Sequence, residues 1–252
     1  MNVSDSFHPK STTLCISSLD KRTETIDNVA NLRTLKLMRA ALSGVPIMTM
    51  SWVSTCLERK EIPSLEFNHI VHTLRSKNDE LMIVKDSMDS PSARFGVVRL
   101  GSKSHNSKKT KNFMDKHLVL MCGQFKSPGY PKKVDIQLLL KESGAVVSSS
   151  PSDFIKAMKN EIKKQQPNHF GNPGIAFIIL CDDSSSDSTS GIPKEMKTVL
   201  ESAIADGDKL SFIIVTSYWL FDCISCGAIL SCDKYEPLSP LGKTLWRKSM
   251  NE

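Results

Sequence analysis

The chain has 252 residues, 33 of them basic and 27 acidic for a net charge of +6, and 40% of its residues are apolar. That length suits one large domain or two ordinary ones with adequate cores, and the mild basicity favours anionic partners, phosphorylated peptides among them, without by itself implying nucleic acid. No stretch reaches the roughly 18 uninterrupted apolar residues of a membrane span, and residues 1–10 lack the apolar run of a signal peptide.

Residues 1–11 read as unstructured, 12–17 as a short strand and 20–31 as a charged loop. The clearest pattern follows at 32–62. Leu32, Leu35, Met38 and Leu42 recur at helical spacing. Gly44 stands where a helix end needs a residue that tolerates positive φ. Residues 45–50 are short and apolar, as in a buried strand. Trp52, Val53, Cys56 and Leu57 then return to helical spacing. Helix, turn, strand, helix is an α/β signature.

Residues 66–116 are less regular: 80–85 reads as a strand or a helical turn, and 93–100 as a strand. Lys103, Lys108, Lys109, Lys111 and Lys116 give 101–116 the composition of a solvated linker. A second unit starts with a strand at 117–122. A helix at 132–143 presents Val134, Ile136, Leu138, Leu139 and Leu140, and Gly144 ends it before a short strand at 145–148. Residues 153–165 read as an inserted, lysine-rich helix. The continuous apolar run 175–181 is typical of a strand buried on both faces. The acidic, serine-rich stretch 182–190 reads as a loop, and its Asp182, Asp183 and Asp187 are a weak match to a cation site. Pro193 suits the first turn of a helix reaching about 205. A strand at 212–216 and a helix at 217–227 close the unit. Such alternation predicts a parallel sheet with helices on its faces.

Cys15, Cys122, Cys181 and Cys223 lie in apolar runs and read as buried free thiols. Cys223 and Cys226 are spaced as a metal or redox pair but have no partner pair, so no metal site is expected. His69 and His72 stand apart from any catalytic constellation, and no phosphate loop or nucleophile motif occurs.

The chain also repeats itself. With Trp52 set over Trp219, Thr49 meets Thr216, Cys56 meets Cys223, Leu57 meets Ile224 and Ile62 meets Ile229. Two copies of one strand–helix unit argue for tandem domains, in which each tryptophan packs the closing helix against its sheet.

This order resembles the BRCT (breast-cancer C-terminal) repeat family in its tandem form. Gly44 with Trp52, Gly144, and Trp219 after the strand at 212–216 carry the resemblance, as structural landmarks. It implies an α/β fold of two tandem three-layer units with parallel sheets. Residues 1–65 would be a partial first repeat, 66–116 a linker, 117–238 the second repeat and 239–252 a tail. Arg33-Thr34-Leu35-Lys36, with Thr12-Thr13 upstream, is similar to phosphoserine readers of the breast-cancer susceptibility protein and microcephalin type. The resemblance implies that Thr34 and Lys36 contact the phosphate. Arg33 would read the peptide backbone near the residue three places downstream, and Met38 and Phe221 would line an apolar groove for its side chain. The chemistry agrees: a phosphoserine carries nearly two negative charges, and each charge-assisted hydrogen bond contributes about 1.5–3 kcal/mol.

The sequence departs from the family in two places. A complete unit begins strand, helix, strand, yet only residues 1–11 precede Thr12. The expectation is a first repeat lacking these elements, in a fragment or in a naturally short repeat. Ser217 and Tyr218 stand where readers often place a basic residue, which would weaken peptide binding. The implied function is a non-enzymatic phosphoserine-peptide module in the nucleus, acting in the DNA-damage response or checkpoint signalling. No cofactor, membrane or small-molecule substrate is expected. Two alternatives remain open: a phosphate-independent scaffold, and weak DNA contact through the lysines of 101–116.

Overall fold

The computed structural model describes residues 6–8, 10–18, 29–30, 34–43, 45–63, 71, 73–74, 113–115, 117–125, 131–164, 177–182, 212–226, 229–232 and 234–235. The chain divides into two compact units. One comprises Met1–Thr110 with Phe221–Ile229, the other Lys111–Leu220 with Leu230–Glu252.

In the first unit β1 (Cys15–Ser17) pairs in parallel with β3 (Ile47–Thr49), and α1 (Leu35–Ser43) is the crossover between them. β2 (Val29–Ala30) pairs in parallel with β4 (Thr73–Leu74). α2 (Met50–Arg59) follows β3 directly. Alternation along the strands sends successive side chains to opposite faces. Cys15 and Ile47 therefore pack with Leu37, Ala40 and Ala41 of α1, and with Phe7, Val45 and Val71. Leu14 and Met48 pack with Trp52, Val53 and Cys56 of α2. A helix on each face of the strands makes three layers.

The second unit holds a four-stranded parallel sheet in the order β6-β5-β7-β8, formed by β6 (Val146–Val147), β5 (Leu118–Cys122), β7 (Phe177–Cys181) and β8 (Ile213–Thr216). α3 (Lys133–Glu142) crosses from β5 to β6 and buries Ile136, Leu139 and Leu140 completely. Its end is a Schellman turn: Ala145 N–H donates to Leu140 O (2.9 Å) and Gly144 N–H to Lys141 O (3.1 Å), with Gly144 at φ 94°. α4 (Pro151–Lys164) covers one sheet face with Phe154, Ile155 and Met158, against Leu120, Cys122, Phe177, Ile179, Cys181 and Ile214. The ring of Phe154 meets that of Phe177 edge-on at 5.8 Å. Ser150 caps this helix by accepting from Asp153 N–H (3.1 Å). Hydrogen bonds from the Ser150 and Ser149 hydroxyls hold the Asp153 carboxyl below its usual pKa range. The intervening strand residues Val119, Met121, Ile178, Leu180 and Val215 are buried too. That burial explains why β7 reads as one continuous apolar run. α5 (Ser217–Cys226) follows β8, and its residues 219–225 are all buried.

Among the described residues the expected elements are present, most with shorter ends, and several readings need correction. Residues 1–11 are not wholly unstructured: Phe7 is buried in the α1 layer, and Ser11 and Thr12 N–H both donate to His8 O. The stretch 20–31 contains β2. Within 66–116, Val71 is buried and donates to Ile47 O (2.8 Å), extending the β3 ladder. Met114 is wholly buried and donates to Ser143 O (3.0 Å), so it is packed rather than solvated, although Asp115 beside it is exposed. Composition hid both, because each belongs to an apolar pair, Ile70-Val71 or Phe113-Met114, set in a polar stretch. The helix expected at 153–165 begins earlier, at Pro151. Gly44, the strand candidates at 80–85 and 93–100, and the helix expected at 193–205 lie outside the described residues.

Candidate functional site

The first turn of α1 is the site that the sequence singles out. Thr34 caps the helix rather than lying within that turn. Its carbonyl accepts from Met38 N–H (3.0 Å) and its Oγ1 from Leu37 N–H (3.3 Å). The first of these is the opening i→i−4 bond of the helix; the second uses one of the four N–H groups that a helix start leaves unpaired. The N–H groups of Leu35 and Lys36 have no acceptor within the helix by geometry alone. Thr34 and Lys36 are both exposed. The Lys36 charge reaches Cys15 on β1. Burial pushes that thiol's pKa up, and a backbone bond at Ile16 and the Lys36 charge partly oppose the rise. An exposed threonine and an exposed lysine thus stand at the start of one helix, an end at which anions are favoured.

The other candidate residues are placed as follows. Met38 and Phe221 are buried, at 0% and 5% exposure. Arg33 lies outside the described residues, as do Asp183, Asp187 and the five lysines considered for DNA contact, Lys103, Lys108, Lys109, Lys111 and Lys116. Trp52 and Trp219 are buried at the starts of α2 and α5. Trp219 Nε1–H donates to Leu230 O (3.0 Å). Among the described residues, no group of three or more metal-ligating side chains converges. Cys15, Cys56, Cys122, Cys181, Cys223 and Cys232 form no disulfide; Cys122, Cys181 and Cys223 are buried, whereas Cys15 is only partly so. Burial, with Cys181 alongside, raises the Cys122 pKa well above normal despite the Lys133 charge, so that thiol stays protonated.

Two features escaped the sequence reading. Arg39, one turn beyond Lys36, lies over the Phe7 ring (5.2 Å to its centre) and donates to Phe7 O (3.2 Å). In the second unit, Asp182 is not a free cation ligand but a loop anchor: its Oδ2 accepts from Phe125 N–H at 2.5 Å. The only advance signal for either was an isolated phenylalanine in a polar segment and an aspartate directly after a buried strand.

A search of solved structures finds a match to the BRCT5-BRCT6 domains of S. pombe Brc1. The TM-score is 0.50 at 13% identity, over 86% of this chain and 94% of that one. The fold is that of a tandem BRCT domain. Two structures of Rtt107p also match at 13% identity. Its complex with a phosphorylated histone has a TM-score of 0.48 over 92% of this chain and 78% of that one. A structure of its residues 820-1070 has a TM-score of 0.42 over 82% and 72%. Neither models of protein families nor curated proteins gave a match. In the second BRCT-like repeat the first strand, β5, lies between β6 and β7. In the first, the strand equivalent to β7 is β1, and among the described residues it pairs with β3 alone.

Proposed function

We propose that the chain is a non-enzymatic module that binds a phosphoserine peptide at the start of α1. Thr34 and Lys36 hold the phosphate and Arg33 reads the peptide backbone. Met38 and Phe221 supply apolar contacts, which requires local rearrangement because both are buried. The observation that carries this reading is the exposed Thr34–Lys36 pair at a helix start. The Thr34 hydroxyl accepts from Leu37 N–H and keeps its own proton for a phosphate oxygen. Lys36 supplies the opposing charge. In this proposal the module recruits phosphorylated nuclear proteins in the DNA-damage response or checkpoint signalling.

Titration with a phosphoserine peptide and its unmodified twin tests the proposal. The phosphopeptide should bind at least about tenfold tighter, as expected for one charge-assisted bond. Lys36→Met should remove most of that difference and leave the unmodified peptide unaffected. Equal affinities, or no effect of Lys36→Met, would refute it.

A phosphate-independent scaffold is the second reading, and a specific observation favours it. Met50, Leu57 and Ile62, on or just beyond α2, are 55%, 73% and 78% exposed. Partner capture that survives phosphatase treatment would favour that reading.

A further inference from the structure

We propose that the outer edge of β1 and the exposed flank of α2 seat a strand–helix segment of a partner protein, which completes the first sheet as β5 and α3 complete the second. The internal repeat points to it. With Thr49 set over Thr216, Met48 falls on Val215, and the strand registers carry Ile16 onto Leu180. On β3 and β8 the two units agree: Ile47 and Ile214, like Met48 and Val215, are wholly buried. Away from β3 they part. Ile16 is 37% exposed where Leu180 is 0% exposed. Leu57 is exposed where Ile224 is buried, and Val53 and Cys56 are half-buried where Leu220 and Cys223 are wholly buried.

The topology identifies the occupant. Right-handed crossovers place α3, between β5 and β6, and α4, between β6 and β7, on opposite faces of the second sheet. α4 packs on Ile179 and Cys181, so Leu180 faces the layer of α3. Ile16 and Met48 face the corresponding layer of the first unit, where α2 covers Met48 and leaves Ile16 exposed. The strand edge is open as well. Cys15 N–H donates to Pro46 O (2.9 Å), so the N–H and C=O of Ile16 point to the edge away from β3. In the second sheet β5 pairs with that edge of β7; among the described residues no strand pairs with it on β1. An open edge beside an exposed apolar flank is a template for a strand of another chain. The segment that fits has an apolar strand like Leu118–Cys122 and a helix with apolar residues spaced as Ile136, Leu139 and Leu140. A second copy does not supply it, because its own β5 is paired on both sides.

The experiment titrates the full chain with a synthetic peptide of residues 117–143, as a strand–helix probe, and with a scrambled peptide of the same composition. The ordered peptide should bind about tenfold or more tighter than the scrambled one and should slow hydrogen exchange at the Ile16 amide. Ile16→Lys should weaken that binding about tenfold or more, as for the loss of a buried aliphatic contact. Leu57→Lys, on the exposed flank of α2, gives the same test if Ile16→Lys does not fold. The seat is separate from the phosphate site, so Lys36→Met should leave peptide binding unchanged. Equal binding of the two peptides, binding that leaves exchange at Ile16 unaltered, or protection of Ile16 through self-association of the chain alone would each overturn the proposal.

Discussion

Gly123→Ala should destabilise the second unit by about 3 kcal/mol, combining backbone strain with overpacking. Gly123 follows β5 with φ at 117°, a conformation that L residues rarely adopt. A Cβ there would sit 2.3 Å from the Asp182 Cβ. Neither backbone can yield easily. β5 and β7 are in register up to Cys122 and Cys181, and Asp182 N–H donates to Cys122 O (2.8 Å). Asp182 is also held by the Phe125 amide, and Phe125 has its own positive φ of 51°. Denaturant unfolding checks the prediction. Asp182→Gly in the same chain removes the clashing carbon but not the strained φ. The double variant should therefore lose less than the sum of the two single losses, a coupling expected for residues in contact. Strict additivity would show that the contact does not matter.

The two tryptophans should respond unequally to replacement by phenylalanine. Both changes remove ring volume from a buried site. Trp219→Phe also breaks the bond from Nε1–H to Leu230 O and leaves that carbonyl without this donor. Trp52 Nε1 is buried and has no hydrogen-bond partner among the described residues. Trp52→Phe therefore removes an unsatisfied donor, whose burial costs about 1–3 kcal/mol. Trp219→Phe should accordingly destabilise the chain by about 2 kcal/mol more than Trp52→Phe, measured as the difference between their denaturation midpoints. Equal losses would mean that Trp52 finds an acceptor after all.

Elements whose chemistry repeats along the chain were legible in the sequence. Continuous apolar runs marked β5 and β7, helical spacing marked α1 and α3, and the paired tryptophans marked the repeat. Gly144 was legible because a helix end at positive φ strongly prefers glycine. Single residues that act at long range were not. Phe7 and Arg39 are 32 residues apart, and no local pattern joins them. Asp182 resembled a surface acid until its loop contact was visible. Val71 and Met114 each sit in an apolar pair too short to stand out from the polar sequence around it. At the candidate site, residue identities at 34 and 36 came from a four-residue resemblance. That Thr34 acts as the helix cap came only from the structure.

Whether the start of α1 receives the phosphate is tested most directly by amide chemical-shift mapping, with the full chain titrated by a phosphoserine peptide. The largest shifts are expected at Thr34, Leu35, Lys36 and Leu37, and they should be absent with the unmodified peptide. Shifts centred instead on α2 around Leu57, or equal for both peptides, would rule out a phosphate site at this helix start.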